Sequence, residues 1–222
     1  MEGSGPATFE ACGPWPVQLR HHTKLTSEDY VTQKAWRLAS LERCPLHPRG
    51  GCGFARHGTY QRVEPPGMRV ARCYCPRARQ SFSLLPDCLS SRLVGSLDEA
   101  EQVVLRVEAS RSVEQAAASL RPDIELPGAV RWVRRRLKGV RAALVALLTL
   151  LPGELGAAAE LGALRELLGS ERVLADLREI AHGHLGALPR PVGFGPAPLR
   201  VIKPGQPLQH KEGPDPPQAP GV

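Results

Sequence analysis

Five of the six cysteines in this 222-residue chain fall between Leu41 and Leu89, and no other feature limits the fold so strongly. Cys44-Pro-Leu-His47 is followed by Gly50-Gly-Cys52-Gly53 and, after a spacer, by Cys73-Tyr-Cys75-Pro76. A structural zinc ion takes four soft or borderline ligands in a tetrahedron, commonly as two close pairs. Cys44 with His47 has the spacing of one pair, and Cys52 is a third donor in the same knuckle. Cys73 and Cys75 form the second pair in a C-x-C spacing, while Ala78 stands where a further knuckle cysteine would fall. The candidate ligands are Cys44, Cys52, Cys73 and Cys75, with His47 competing for the second place. Structural cysteines without metal are the alternative; a catalytic thiol is disfavoured.

The spacer reads as a hairpin. Residues 57–63 and 68–74 have strand-like alternation, and Pro65-Pro66-Gly67 between them is a turn signal. Knuckle, strand, turn, strand, knuckle is the plan of a zinc ribbon, spanning residues 39–92. Gly50, Gly51 and Gly53 supply the permissive backbone of a tight knuckle, and Phe82, Leu84 and Leu85 of SFSLLP are expected to cap the small core. A unit this small needs a metal or a packing partner to be stable. Residues 1–38 form an extension ending in a lead-in helix, on the helical spacing of Val31, Ala35, Leu38 and Leu41. His21-His22 is expected to be an exposed pair, because adjacent residues point in different directions.

The chain begins MEGSGPATFEACGP, with neither a basic start nor an apolar run, so no secretory signal is read and a cytoplasmic location is expected. The longest apolar stretch, Ala142 to Leu151, is about half a membrane span, which predicts no membrane association. Clustered cysteines in that setting favour metal over disulfides. The formal net charge of +7 favours a polyanionic partner, and the excess is localised: residues 1–152 carry 22 basic and 14 acidic side chains.

Residues 96–151 predict three helices. Ser96-Leu-Asp-Glu99 and Ser112-Val-Glu-Gln115 are capping boxes, and Pro127 opens a long third helix. Two short helices followed by a basic one make a helix-turn-helix. On the third helix, Val130, Val133, Leu137, Val140, Leu144, Leu147 and Leu151 define a buried seam. Arg131, Arg134, Arg135 and Lys138 fall opposite, with Arg136 and Arg141 on the flanks. Solvated helices commonly mix acids with bases for pairing; this row has none, which suits DNA phosphates. A merely solvated basic face, or one paired with acids elsewhere, is the competing reading. Trp132 borders the seam and reads as a packing anchor. Residues 152–188 predict a Leu-rich helical hairpin, a candidate homodimer interface packing on the Leu144–Leu151 end. Residues 189–222, rich in proline, predict a disordered tail. Cys12 and Cys88 read as ordinary residues, and His182 and His184 as poor ligands.

Cys44-Pro, the Arg56-His57-Gly58-x-Tyr60-x-Arg62 strand, Cys75-Pro76, Phe82-Ser-Leu-Leu-Pro86 and Trp132-Val-Arg-Arg-Arg136 together resemble the DNA-binding front end of bacterial insertion-sequence transposases. The resemblance covers about half the chain and implies a zinc ribbon followed by a helix-turn-helix. Ala78 departs from that family's paired second knuckle. The family cleaves DNA with a separate domain of three acidic residues binding magnesium, and nothing after Pro152 is long or β-rich enough to be one. The expectation is an α+β chain, mostly α, that binds DNA without being an enzyme and acts as a regulator or domesticated remnant. Zinc would be structural. Arg131, Arg134, Arg135, Lys138 and Arg141 would meet the duplex, extended by Arg56, Arg62, Arg69 and Arg72 of the hairpin. The alternative is a protein-interaction module that assembles through the ribbon and the Leu-rich helices.

Overall fold

A computed structural model describes residues 17–152, 155 and 160–195. Strands β2 (Ala55–Gln61) and β3 (Arg69–Cys75) form the expected hairpin. Its turn is closed by Met68 N–H on Pro65 O at 3.2 Å and Arg62 N–H on Met68 O at 2.9 Å, with Gly67 at φ +76°. SFSLLP does more than cap this unit: it forms β4 (Gln80–Pro86), antiparallel to β3 and almost wholly buried. On its far side lies β1 (Val17–His21), parallel to β4, giving the order β1-β4-β3-β2. Strand period two divides the buried side chains between the faces. Ala71, Cys73, Cys75, Phe82 and Leu84 pack with Cys44 and Cys52, whereas Val70 and Leu85 pack with Tyr30, Trp36 and Met68.

The lead-in helix expected from Val31 to Leu41 is displaced. Helix α1 spans Ser27–Thr32, capped by Thr26, whose hydroxyl accepts from Asp29 N at 3.1 Å. Lys34 then adopts a left-handed conformation at φ 52° and breaks the run, leaving a single 3-10 turn at Ala35–Arg37. Leu38 points out at 85% exposure, and the anchors are Tyr30 and Trp36.

Helices α2 (Leu97–Glu108), α3 (Val113–Leu120) and α4 (Leu126–Leu150) follow the capping and proline signals. Ser96 accepts from Glu99 N at 2.9 Å and Ser112 from Gln115 N at 3.1 Å. The seam of α4 is buried as its spacing predicts, with Val130 and Val133 against α3 and Leu137 to Leu147 in the main helical core. Among the described residues, helices α5 (Leu161–Leu168) and α6 (Val173–Ile180) carry no side-chain cap of their own. Helix α2 provides both. Glu108 accepts from Leu161 N at 3.0 Å and Gly162 N at 2.9 Å, and Glu101, two turns earlier on the same face, accepts from Leu174 N at 3.0 Å. Each carboxylate thereby satisfies orphan amides at a positive helix end. Leu161, Leu164, Val173, Leu174 and Leu177 share one core with α2 and α4.

Arg178 joins the sheet to the helices. Its guanidinium is fully buried and donates to the carbonyls of Asp87, Leu89, Pro191 and Val192 at 2.7–3.1 Å, with Pro86 O at 3.4 Å. The segment expected to begin a disordered tail at residue 189 is thus ordered through 195. Val192 is buried, and Phe194 lies under the Arg178 guanidinium at 5.4 Å. The rest of that expectation, residues 196–222, and Cys12 lie outside the described residues. Among the described residues, no helix is long and apolar enough to cross a membrane.

Candidate metal centre and basic helix face

The Cys44-Pro-Leu-His47 turn is closed by His47 N–H on Cys44 O at 3.2 Å. It points the amides of Leu46 and His47 at the Cys44 sulfur. Gly50, Gly51 and Gly53, at φ +81°, +74° and +69°, return the chain so that Cys52 faces the same point. At Gly53 an added Cβ would sit 3.0 Å from Pro76 Cγ, so the absent side chain lets the two knuckles close on each other. Cys75 ends β3, and the amides of Ala78 and Arg77 in the following turn are aimed at its sulfur.

Cys44, His47, Cys52 and Cys75 therefore converge, with ligand atoms all within 4.8 Å of one another. His47 Nδ1 lies 3.6 Å from Cys44 Sγ and 3.4 Å from Cys75 Sγ. Ligand bonds of ~2.3 Å to sulfur and ~2.0 Å to nitrogen give a tetrahedral S···N edge of about 3.5 Å. These four side chains could hold a metal ion. Three come from the first knuckle and one from the second, and Ala78 directs its amide at the Cys75 sulfur. His47 and Cys52 both belong to the set.

Cys73 does not. It lies two residues back along β3, about 6.6 Å at ordinary strand rise. There it is 2% exposed in the sheet core opposite Phe82. The C-x-C pair shares one strand face, yet only its second member reaches the knuckles. All five cysteines among the described residues are free thiols. Burial pushes the Cys44 thiol up to about 11. Burial acts the same way on Cys75, but the Ala78 amide, the Cys44 and Cys52 thiols and the Arg77 amide outweigh it and hold that thiol below its ordinary value.

The basic row of α4 is exposed at Arg131, Arg134, Arg135, Lys138 and Arg141. Arg134 pairs with Glu114 at 3.1 Å; the other four meet no acid among the described residues. Arg136 leaves the row: it is buried, stacks 3.8 Å from the Trp132 ring centre, and pairs with Glu99 at 2.8 Å. Trp132 packs beside the α3–α4 core as expected, with Arg121 5.2 Å from its ring centre.

Two of the hairpin arginines bond to backbone carbonyls. Arg56 donates through Nη1 and Nη2 to the carbonyls of Trp36, Arg37 and Ala39, and Arg62 through Nη2 to those of Ser90 and Leu93, so both guanidiniums are anchored to backbone. Arg72 lies over the Tyr60 ring, while Arg69 is exposed. Of the histidine pair, His21 meets Tyr30 edge-on, and exposed His22 reaches Asp87 and Glu179 beside Arg20. Sequence reasoning passed over Arg178, whose burial no local pattern announces. Compared with known proteins, the chain matches no family model, no curated protein and no solved structure.

Proposed function

We propose that this chain is a non-catalytic DNA-binding protein in which a zinc ion on Cys44, His47, Cys52 and Cys75 staples the β unit. The α3–turn–α4 pair would act as the helix-turn-helix. Four protein ligands fill a tetrahedral sphere, which suits a structural ion. The observation that carries the DNA reading is the stripe Arg131, Arg135, Lys138 and Arg141, exposed on one side of α4 and without acid partners among the described residues. It runs about 15 Å at helical rise, a length that suits contact across a major groove roughly 12 Å wide. The resemblance to a transposase front end fits this reading, with a regulator or domesticated remnant in the cytoplasm as the role. The assembly reading, including a homodimer through the C-terminal helices, is less well supported: the leucines that suggested it are buried in the chain's own core, with Leu167 left exposed.

The test is anisotropy of a labelled mixed-sequence duplex with the triple variant Arg131→Glu, Arg135→Glu, Lys138→Glu. Three lost phosphate contacts should weaken binding about 500-fold near 0.1 M salt. Undiminished binding by a variant with native circular dichroism would sink the proposal.

A further inference from the structure

The knuckle that carries Cys44 and Cys52 also shapes an open groove of about 480 Å³, lined by Arg43, Arg49 and the glycine loop. Both guanidiniums are exposed, and neither has a hydrogen bond or ion pair among the described residues. This separates them from Arg56 and Arg62, which donate to backbone carbonyls. Gly50 and Gly51 are consecutive left-handed residues, and a Cβ added at either would meet nothing within 4 Å. The groove wall there is bare backbone. Gly51 and Gly53 are exposed. Among the described residues, Glu42 is the one carboxylate lining the groove. Pro76 closes on Gly53 from the second knuckle, whose turn carries exposed Arg77 and Arg79.

Two guanidinium forks on an open groove walled by bare backbone are donors that phosphate oxygens accept from. We propose that the Arg43–Gly53 loop is a second nucleic-acid contact, clamping backbone phosphate. The inference rests on the DNA reading above and assigns the metal knuckle a binding role besides its structural one. Contact through phosphate alone makes this clamp indifferent to base sequence.

The experiment compares full-length, zinc-loaded chains in a salt titration of duplex binding. Arg43→Ala with Arg49→Ala should lower the magnitude of the log–log salt slope by about 1.8 and weaken binding by up to about 60-fold near 0.1 M salt. Arg43→Lys with Arg49→Lys preserves the charges and should preserve most of the slope. Metal content and circular dichroism confirm that both variants fold. An alanine pair with the parent slope overturns the clamp and leaves the α4 reading standing, and so does a lysine pair that loses as much slope as the alanine pair. Absence of duplex binding by the parent chain overturns both.

Discussion

Replacing Cys73 and Cys75 separately divides two thiols that stand two residues apart on one strand face. Cys75 belongs to the converging group with Cys44, His47 and Cys52, whereas Cys73 lies in the sheet core. Structural zinc sites contribute roughly 10–16 kcal/mol, so one of four ligands accounts for about 2.5–4 kcal/mol. Cys75→Ala should therefore weaken zinc binding about 100–1,000-fold. Cys73→Ala removes a sulfur from packed surroundings, at a cost of about 1 kcal/mol in stability, and should leave the affinity unchanged. The assay is zinc per chain after purification without added metal, followed by competition with a chelating dye. His47→Ala should behave as Cys75→Ala does. A Cys73→Ala protein that loses its zinc, or a Cys75→Ala protein that keeps it at parent affinity, would refute the ligand assignment.

Arg178→Met would remove the donors that satisfy the carbonyls of Asp87, Leu89, Pro191 and Val192. At about 1–3 kcal/mol per orphaned group, the loss should exceed ~4 kcal/mol and appear as a collapsed urea midpoint; an unchanged midpoint would contradict its joining role. Glu101 gives a pH signature: burial raises its carboxyl above the ordinary 4.5, against the opposing amides of Leu174 and Val173. The native state then binds more protons than the unfolded chain across that window, so this contribution to stability falls as pH rises through it. Glu101→Gln keeps an acceptor for the Leu174 amide and should flatten the dependence of the urea midpoint on pH; an unaltered profile would count against it.

What was legible in the sequence was local. Ser96, Ser112 and Pro127 marked helix starts because a cap is made within one turn, and the α4 seam followed from its spacing. The hairpin followed from Pro65-Pro66-Gly67. Choosing ligands was harder, because Cys73 and Cys75 share a strand face and only the approach of the first knuckle separates them. Strand β1 depends on its parallel partner β4, and five residues carry too little pattern to announce such a pairing. Lys34 overrode the helical spacing of Val31 to Leu41 by turning the chain where a helix would have continued. At Arg56 and Arg62 the charge is visible in the sequence, whereas the carbonyls that anchor them are not.

The most direct test of the DNA reading is the salt dependence of duplex binding by the unaltered, zinc-loaded chain. The four cations on α4 that meet no acid among the described residues predict a log–log slope near −3.6, and adding Arg134, Arg43 and Arg49 takes it to about −6. A slope in that interval is the expected result. No measurable binding near 50 mM salt, or a slope shallower than about −1, would contradict the proposal that this chain is a nucleic-acid-binding protein.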